Sequence, residues 1–201
     1  MIKYQESGWP NSKITLKLRL FDGSTNLSPT SYQTMWTGTK QFNPNYDDNR
    51  PPIVFDVPED ASKVEFVAYI TGHGWGSVGC YNCAEFCNSK HNFEVNGGML
   101  NFDIAYPNAS SSNYCMQLST IAQGVVPNQY GTWGYGRAGW CPGLDVKPFV
   151  TDITDYVIMG DENIMDYTAC RVSGANCVEP PICQGDGYCP EIAFTSYIIF
   201  Y

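Results

Sequence analysis

Turn-forming residues interrupt this chain so often that only short strands fit between them. The sequence contains 19 glycines and 13 prolines. Segments such as NPNYDDNRPP (43–52) and VSGANCVEPPICQGDGYCPE (172–191) are too rich in Gly, Pro, Asn and Asp to continue a strand or a helix. No convincing pair of helix start and stop signals is present. The pattern therefore predicts an all-β fold, an antiparallel sandwich.

The segments between these turns show the periodicity of strands. ITLKLRL (14–20) alternates apolar and polar residues, which predicts a half-buried strand, whereas KVEFVAYIT (63–71) is apolar on nearly both faces and predicts a central strand. FEVNGGMLNFDIAY (93–106) predicts a hairpin, because Asn96-Gly97 adopts positive φ easily at a tight turn. IAFTSYIIFY (192–201) predicts a last strand. Short strands joined by frequent turns favour a jelly roll.

Composition and charge restrict the possible partners and the domain count. The chain has 201 residues and 43% hydrophobic content, enough for one sizeable core, so a single domain over 1–201 is expected. A net charge of -9, without a run of Lys and Arg, argues against nucleic acid. No apolar segment approaches the roughly 20 residues of a membrane-spanning helix. The start at Met1 suggests that any export signal has already been removed.

Nine cysteines are more than a reduced cytosolic protein usually carries, so the sequence predicts a secreted or extracellular protein. The odd count leaves at least one thiol unpaired or intermolecular. Four of them lie late in the chain and are expected to staple the long loop before the last strand. These four are Cys170, Cys177, Cys183 and Cys189.

The stretch GCYNCAEFCNSKH (79–91) allows two kinds of site. The spacing Cys80-x2-Cys83-x3-Cys87-x3-His91 matches a closed structural zinc site. Alternatively, a disulfide between Cys83 and Cys87 closes a five-residue ring around Glu85. Such a small ring contributes only about 2 kcal/mol on the chain-entropy model. Its better use is to fix the direction of the enclosed carboxylate, as a functional site requires.

Two motifs carry a resemblance to a known family. GCYNCAEFCNSKH, followed by TWGYGRAGWCPG (132–143), resembles the C-terminal domain of the peptide:N-glycosidase F family of bacterial glycoamidases. YITGHGWG (69–76), FEVNG (93–97) and FDVPEDASKVEFV (55–67) are also similar to that domain. The likeness is strong over 53–146, with the N-terminal strand and loops (1–52) before it and the cysteine-rich loop and last strands (147–201) after it. The resemblance implies an eight-stranded antiparallel jelly roll with disulfides Cys83–Cys87 and Cys115–Cys141.

The resemblance also implies residue roles. Glu85 and Arg137 occupy the positions of the glutamate and the arginine that line the family's cleft, and Trp140 matches a sugar-side aromatic, with Trp133 and Trp75 assisting. Hydrolysis of the amide between asparagine and an N-linked sugar requires an activated water, stabilisation of the negative charge on an oxyanion, and binding of the sugar. Glu85 is suited to activate the water and Arg137 to stabilise the oxyanion. The indole rings are suited to bind the sugar. The residues predict no cofactor.

One feature of the family is missing from this sequence. The resemblance places the principal catalytic aspartate of the enzyme in a first jelly-roll domain, beside a Cys-Asp-Glu-Trp-Asp-Arg motif that this chain does not contain. We therefore expect a domain that binds or helps to deglycosylate N-linked glycoproteins but is inactive alone, because its N-terminal partner domain is absent. The rival hypothesis is a structural or adhesive subunit of a surface assembly, which would self-associate.

Each candidate residue also has an ordinary structural alternative. Glu85 can be an exposed acid on a cross-linked loop, and Arg137 can pin its Gly-rich loop by bonding carbonyl groups. Trp140 can pack against the neighbouring disulfide, as tryptophans in sandwiches often do. His73 and His91 can share a metal or, more commonly, form hydrogen bonds in the interior.

Overall fold

The computed structural model describes residues 27–74, 78–127, 131–184 and 187–201, which form two antiparallel β-sheets. The first sheet contains β1 (Ser31–Thr34), β2 (Thr39–Gln41), β4 (Val64–His73), β7 (Phe149–Asp152) and β10 (Glu191–Phe200). The second contains β3 (Ile53–Asp56), β5 (Ser89–Val95), β6 (Leu100–Tyr106), β8 (Glu162–Ser173) and β9 (Asn176–Val178).

The strand order is that of a jelly roll. The first sheet runs β1-β10-β4-β7 and the second runs β3-β8-β5-β6, so the eight main strands follow the double Greek-key pattern, in which successive strands change sheet except at the β5–β6 hairpin. The predicted total of eight strands is wrong, because the described residues form ten. β2 pairs with β10 at Glu191–Ala193, beyond the Tyr197–Phe200 stretch that pairs with β1. β9 folds back on the end of β8.

The strands predicted from periodicity are found where the described residues include them. KVEFVAYIT lies in β4, which pairs with β10 on one side and β7 on the other, so the predicted central strand is confirmed. The last predicted strand is β10. The strand predicted at 14–20 lies outside the described residues.

The predicted hairpin is formed by β5 and β6, whose last pair before the turn is Val95 and Leu100. Asn96 (φ 49°), Gly97 (φ 65°) and Gly98 (φ 94°) all have positive φ, as expected for a turn built from Asn and Gly. The connection has four residues, 96–99, rather than two. The Asn96 side chain donates a 2.7 Å hydrogen bond to Asn163 on β8, which fixes the turn to the neighbouring strand.

Aromatic side chains fill the space between the sheets. Phe66 of β4 contacts Phe93 of β5 with ring centroids 4.8 Å apart, and Phe194 of β10 contacts Tyr167 of β8 at the same distance. Burial of each such side chain stabilises the fold by about 1.5–3 kcal/mol. The core therefore joins the central strands of both sheets into one rigid support.

Helical structure in the described ranges is limited to one short α-helix, α1 (Leu118–Ala122), and single 3-10 turns. The sequence contained no convincing helix signals, and this five-residue helix lies inside the loop that the Cys115–Cys141 disulfide closes. None of the helices formed by these residues is long and apolar enough to cross a membrane.

Candidate functional site

Disulfides engage eight of the nine cysteines. The pairs are Cys83–Cys87, Cys115–Cys141, Cys170–Cys177 and Cys183–Cys189, and the buried Cys80 is free. The first pair uses two of the four ligands that the zinc alternative required. Of the late cysteines, Cys183 and Cys189 pair within the loop before β10, as expected, whereas Cys170 and Cys177 join β8 to β9 and do not staple that loop.

Backbone hydrogen bonds fix the small ring on both sides. Within the loop, the Phe86 amide donates to the Asn82 carbonyl at 2.9 Å. The Glu85 amide donates to the Gly74 carbonyl at 3.2 Å, just beyond the end of β4, and the Glu85 carbonyl accepts from the Ala138 amide at 2.9 Å. Glu85 is therefore attached to the sheet and to the arginine-bearing loop at the same point.

Glycines allow the two loops to approach β4 this closely. A Cβ at Gly72 would lie 2.2 Å from the Ala84 carbonyl oxygen and 2.8 Å from the Ala138 Cβ. A Cβ at Gly139 (φ +84°) would lie 2.2 Å from the Ile70 carbonyl oxygen. The Gly72 amide also donates to the Ala138 carbonyl at 2.9 Å. Larger residues here would push both loops away from the strand.

Glu85 and Arg137 meet directly. The Arg137 Nε donates to the Glu85 Oε1 at 2.8 Å, with the arginine side chain fully buried and that of Glu85 14% exposed. The remaining guanidinium nitrogens donate to backbone carbonyls of Thr132 (2.7 Å), Tyr135 (3.2 Å) and Trp133 (3.4 Å). Nη2 also donates to the Thr132 hydroxyl at 3.1 Å. Arg137 therefore pins its own loop and holds the carboxylate as well.

Two aromatic rings lie against the guanidinium. The Arg137 Cζ is 5.1 Å from the ring centroid of Phe86 and 4.8 Å from that of Trp140, both within cation–π range. The Trp140 indole donates to the Gly72 carbonyl at 3.0 Å, and its ring stacks against His73 at 5.7 Å. Trp140 thus ties the arginine to the end of β4.

The other two predicted indoles are placed differently. Trp133 is partly buried and packs against the cluster of Cys115, Cys141 and Val125. The packing role considered for Trp140 therefore belongs to Trp133. Trp75 lies outside the described residues.

Most of this chain matches a known protein family. The family model described as "Peptide-N-glycosidase F, C terminal" matches residues 41–191. The chain belongs to this family. The resemblance predicted from the two motifs is confirmed.

Solved structures support the fold of this peptide-N-glycosidase F C-terminal domain. A peptide-N(4)-(N-acetyl-β-D-glucosaminyl) asparagine amidase matches with TM-score 0.55 and 18% identity, over 85% of this chain and 51% of that one. PNGase F from Flavobacterium meningosepticum, a glycosylasparaginase, matches with TM-score 0.54 and 20% identity, again over 85% of this chain and 51% of that one. PNGF-II matches with TM-score 0.59 and 12% identity, over 89% of this chain and 31% of that one. The chain thus spans about half the length of the first two. No curated protein sequence matches the chain.

Burial dominates the electrostatics of the pair in this peptide-N-glycosidase F C-terminal domain. Removal from water raises the pKa of Glu85, and the contact with Arg137 only partly offsets this effect. Burial likewise lowers the pKa of Arg137. The Glu85 carboxyl is therefore held closer to its protonated form than an exposed glutamate, which suits a group that exchanges protons with a substrate.

The two histidines of this family member have separate surroundings. His91 is buried in the second sheet, where its Nδ1 lies 2.8 Å from the Tyr167 hydroxyl, and burial lowers its pKa to about 3. His73 lies in the first sheet, where its Nε2 is 2.7 Å from the Thr71 hydroxyl. Within the described parts of the chain, no group of three His, Cys, Asp or Glu side chains is arranged to hold a metal. The geometry favours hydrogen bonding over a shared metal.

Sequence reasoning missed Phe86 and Thr132 as contacts of the buried guanidinium in this domain. Phe86 lies inside the disulfide ring next to Glu85, so its position in the motif was the available signal. Thr132 opens the second motif, but a carbonyl group that accepts from Arg137 leaves no trace in the sequence, because every residue has one.

Proposed function

We propose that this chain binds N-linked glycoproteins and helps to cleave the amide between asparagine and the first sugar. The observation that carries the proposal is the 2.8 Å contact between Glu85 and Arg137, the two residues to which the resemblance assigns the glutamate and the arginine of the family's cleft. Two proteins of similar structure, an asparagine amidase and a glycosylasparaginase, belong by name to that reaction class. The 18–20% identity to them supports the fold, and the contact supports the chemistry.

The two residues take different roles in this proposal. The Glu85 side chain is partly exposed and has a raised pKa, so it is the group that contacts a water or the substrate amide. The Arg137 side chain has no exposed surface, and its nitrogens donate to Glu85 and to loop carbonyls. Arg137 therefore acts as a positioning residue that directs Glu85 and supplies positive charge behind it.

A single carboxyl is not enough for efficient amide hydrolysis, which needs a cooperating acid or base. We propose that a first jelly-roll domain supplies that partner and that the chain by itself releases little or no glycan. The absence of a Cys-Asp-Glu-Trp-Asp-Arg motif from this sequence supports this view. The four disulfides support an extracellular location, since such bonds persist in oxidising compartments.

The proposal is tested by incubating the protein, alone and with an added first domain of a peptide:N-glycosidase F, with a denatured glycoprotein and measuring released glycan. We expect release only in the combined sample, and its loss in Glu85→Gln. Asp103→Asn is the matched control, because Asp103 pairs with Lys90 on an exposed surface. Release that persists in Glu85→Gln overturns the assignment. Ordered polymers without release or glycan binding would favour the structural role instead.

A further inference from the structure

An exposed aromatic side chain stands at the entrance to the disulfide ring. Tyr81 is 56% exposed and has φ 51°, and the next residue, Asn82, has φ 57°. Asn adopts the left-handed region with some ease, but a bulky residue such as tyrosine rarely does. Such a conformation persists only where the surrounding structure imposes it, and it is concentrated at functional sites.

The neighbouring structure holds this loop in place. The buried Cys80 thiol lies 3.8 Å from the Ile182 carbonyl oxygen and 3.7 Å from that of Gln184, so it contacts the loop before β10. On the other side of Tyr81, the Cys83–Cys87 ring begins two residues later. Tyr81 therefore lies between two anchored positions, Cys80 on one side and the Cys83–Cys87 ring on the other.

A cation lies against the tyrosine ring. The Arg171 Cζ is 4.1 Å from the Tyr81 ring centroid, a close cation–π contact. Arg171 is brought there because β8 pairs with β5, where it lies opposite Ser89, just after the ring. Its buried Nε has no hydrogen-bond partner, and no carboxylate in the described part of the chain forms an ion pair with it. The Nε is closed to solvent, so a ligand would contact the two terminal guanidinium nitrogens, which form no hydrogen bond with the described residues.

We propose that Tyr81 and Arg171 form a subsite for a neutral sugar of an N-linked glycan, an inference that rests on the proposed function. The exposed ring supplies a flat apolar surface, and the guanidinium supplies donors for sugar hydroxyl groups. The net charge of -9 opposes acidic ligands. Tyr81 precedes Glu85 by four residues, so their Cα atoms are at most about 14 Å apart. One branched glycan can reach both.

The test measures the affinity of the full chain for an asparagine glycopeptide carrying a neutral oligomannose glycan, by calorimetry, beside the same peptide without glycan. Tyr81→Ala is expected to weaken glycopeptide binding about tenfold, the loss of one aromatic contact. Tyr81→Phe should retain the affinity, because the ring is kept. Arg171→Gln should weaken binding similarly, and Tyr32→Ala, at an exposed tyrosine of β1, should leave it unchanged.

The outcomes separate this subsite from the proposed amidase role. Weakened binding in Tyr81→Ala and Arg171→Gln, with no release of glycan under any condition, supports the subsite and overturns the amidase role. Unchanged affinity in both variants overturns the subsite, even where Glu85→Gln abolishes release. Tighter binding of a sialylated glycopeptide overturns the assignment to neutral sugars. Where Tyr81→Ala does not fold, Arg171→Gln decides the same question, because unchanged affinity in that variant overturns the subsite.

Discussion

Glu85→Gln is expected to leave the free energy of unfolding at pH 7 unchanged or raised, although the variant removes one charge of a buried ion pair. The reason is that burial raises the pKa of Glu85 in spite of Arg137, so the ionised carboxylate is less favourable in the folded protein than in water. A neutral amide of the same shape avoids that cost and still accepts the 2.8 Å hydrogen bond from the Arg137 Nε. Removing one partner of a buried ion pair destabilises a fold when the other charge is left uncompensated, but in this variant the side-chain amide oxygen and the loop carbonyls still accept hydrogen bonds from the Arg137 guanidinium.

Glu85→Ala provides the contrast. It removes the acceptor and leaves the Nε–H of a fully buried guanidinium without a partner. An unpaired buried donor costs about 2 kcal/mol. For a chain of this size that loss lowers the Tm by roughly 4 to 8 °C. The carbonyl bonds from Arg137 to Thr132 and Tyr135 remain and limit the cost.

The pH dependence follows from the raised pKa. The folded protein binds the Glu85 proton more tightly than the unfolded chain, whose carboxyl titrates near its ordinary value of 4.5. The stability that this proton contributes is therefore complete at low pH and is lost as the pH rises from 4.5 through the folded-state pKa. In Glu85→Gln this loss disappears, so its advantage over the native protein should grow across that window.

Denaturant unfolding at several pH values, monitored by tryptophan fluorescence, measures the stability of Glu85→Gln, the stability of Glu85→Ala and the pH dependence of the difference between Glu85→Gln and the native protein. Asp103→Asn, in the exposed pair with Lys90, is expected to change stability by less than about 1 kcal/mol. A Glu85→Gln variant less stable than the native protein by more than about 1 kcal/mol at pH 7 would refute the reasoning. A stability difference that shrinks as the pH rises would refute it as well.

Further measurements test the supports of the site. Gly72→Ala should lower stability by about 1–3 kcal/mol and reduce glycan release in the combined sample, because its Cβ would clash with the Ala84 carbonyl oxygen; denaturant unfolding and release assays check this. Tyr106→Phe should cost about 1–2 kcal/mol, since the Tyr106 hydroxyl donates to the buried Ile70 carbonyl at 2.8 Å; an unchanged unfolding midpoint would contradict it. Thiol titration in denaturant should find one thiol, Cys80, which is protected in the native state; a count near nine would exclude the disulfides.

Much of the fold could be predicted because local rules dictate it. A segment that is apolar on nearly both faces located the central strand β4, an apolar last segment located β10, and alternation around Asn-Gly located the β5–β6 hairpin, since burial of a strand requires apolar residues on each face that it buries. The two extra strands were not predictable in this way. β2 and β9 have three residues each, too few for a periodic signal, and they exist because longer strands offer them a free edge.

The candidate site was also only partly predictable from the sequence. The motifs identified Glu85 and Arg137, which are 52 residues apart in the chain. They did not reveal that Arg137 has no exposed surface, which makes it a positioning residue in our proposal. Nor did they reveal that Trp133, rather than Trp140, packs on the Cys115–Cys141 disulfide. Burial and packing partners depend on segments that are remote in sequence.

The amino-acid sequence by itself determined the class of fold, the family and the identity of the central carboxyl and guanidinium groups, because residue type, spacing and period are local properties. Only the tertiary structure decided which of these two groups is exposed to solvent and how far burial disfavours the charged form of each. It also decided that the ring of Tyr81 lies against Arg171. These properties arise when β4, β5 and β8 bring distant loops together in one place. Long-range contacts of this kind are set by the packing of the whole chain, and no single segment encodes them.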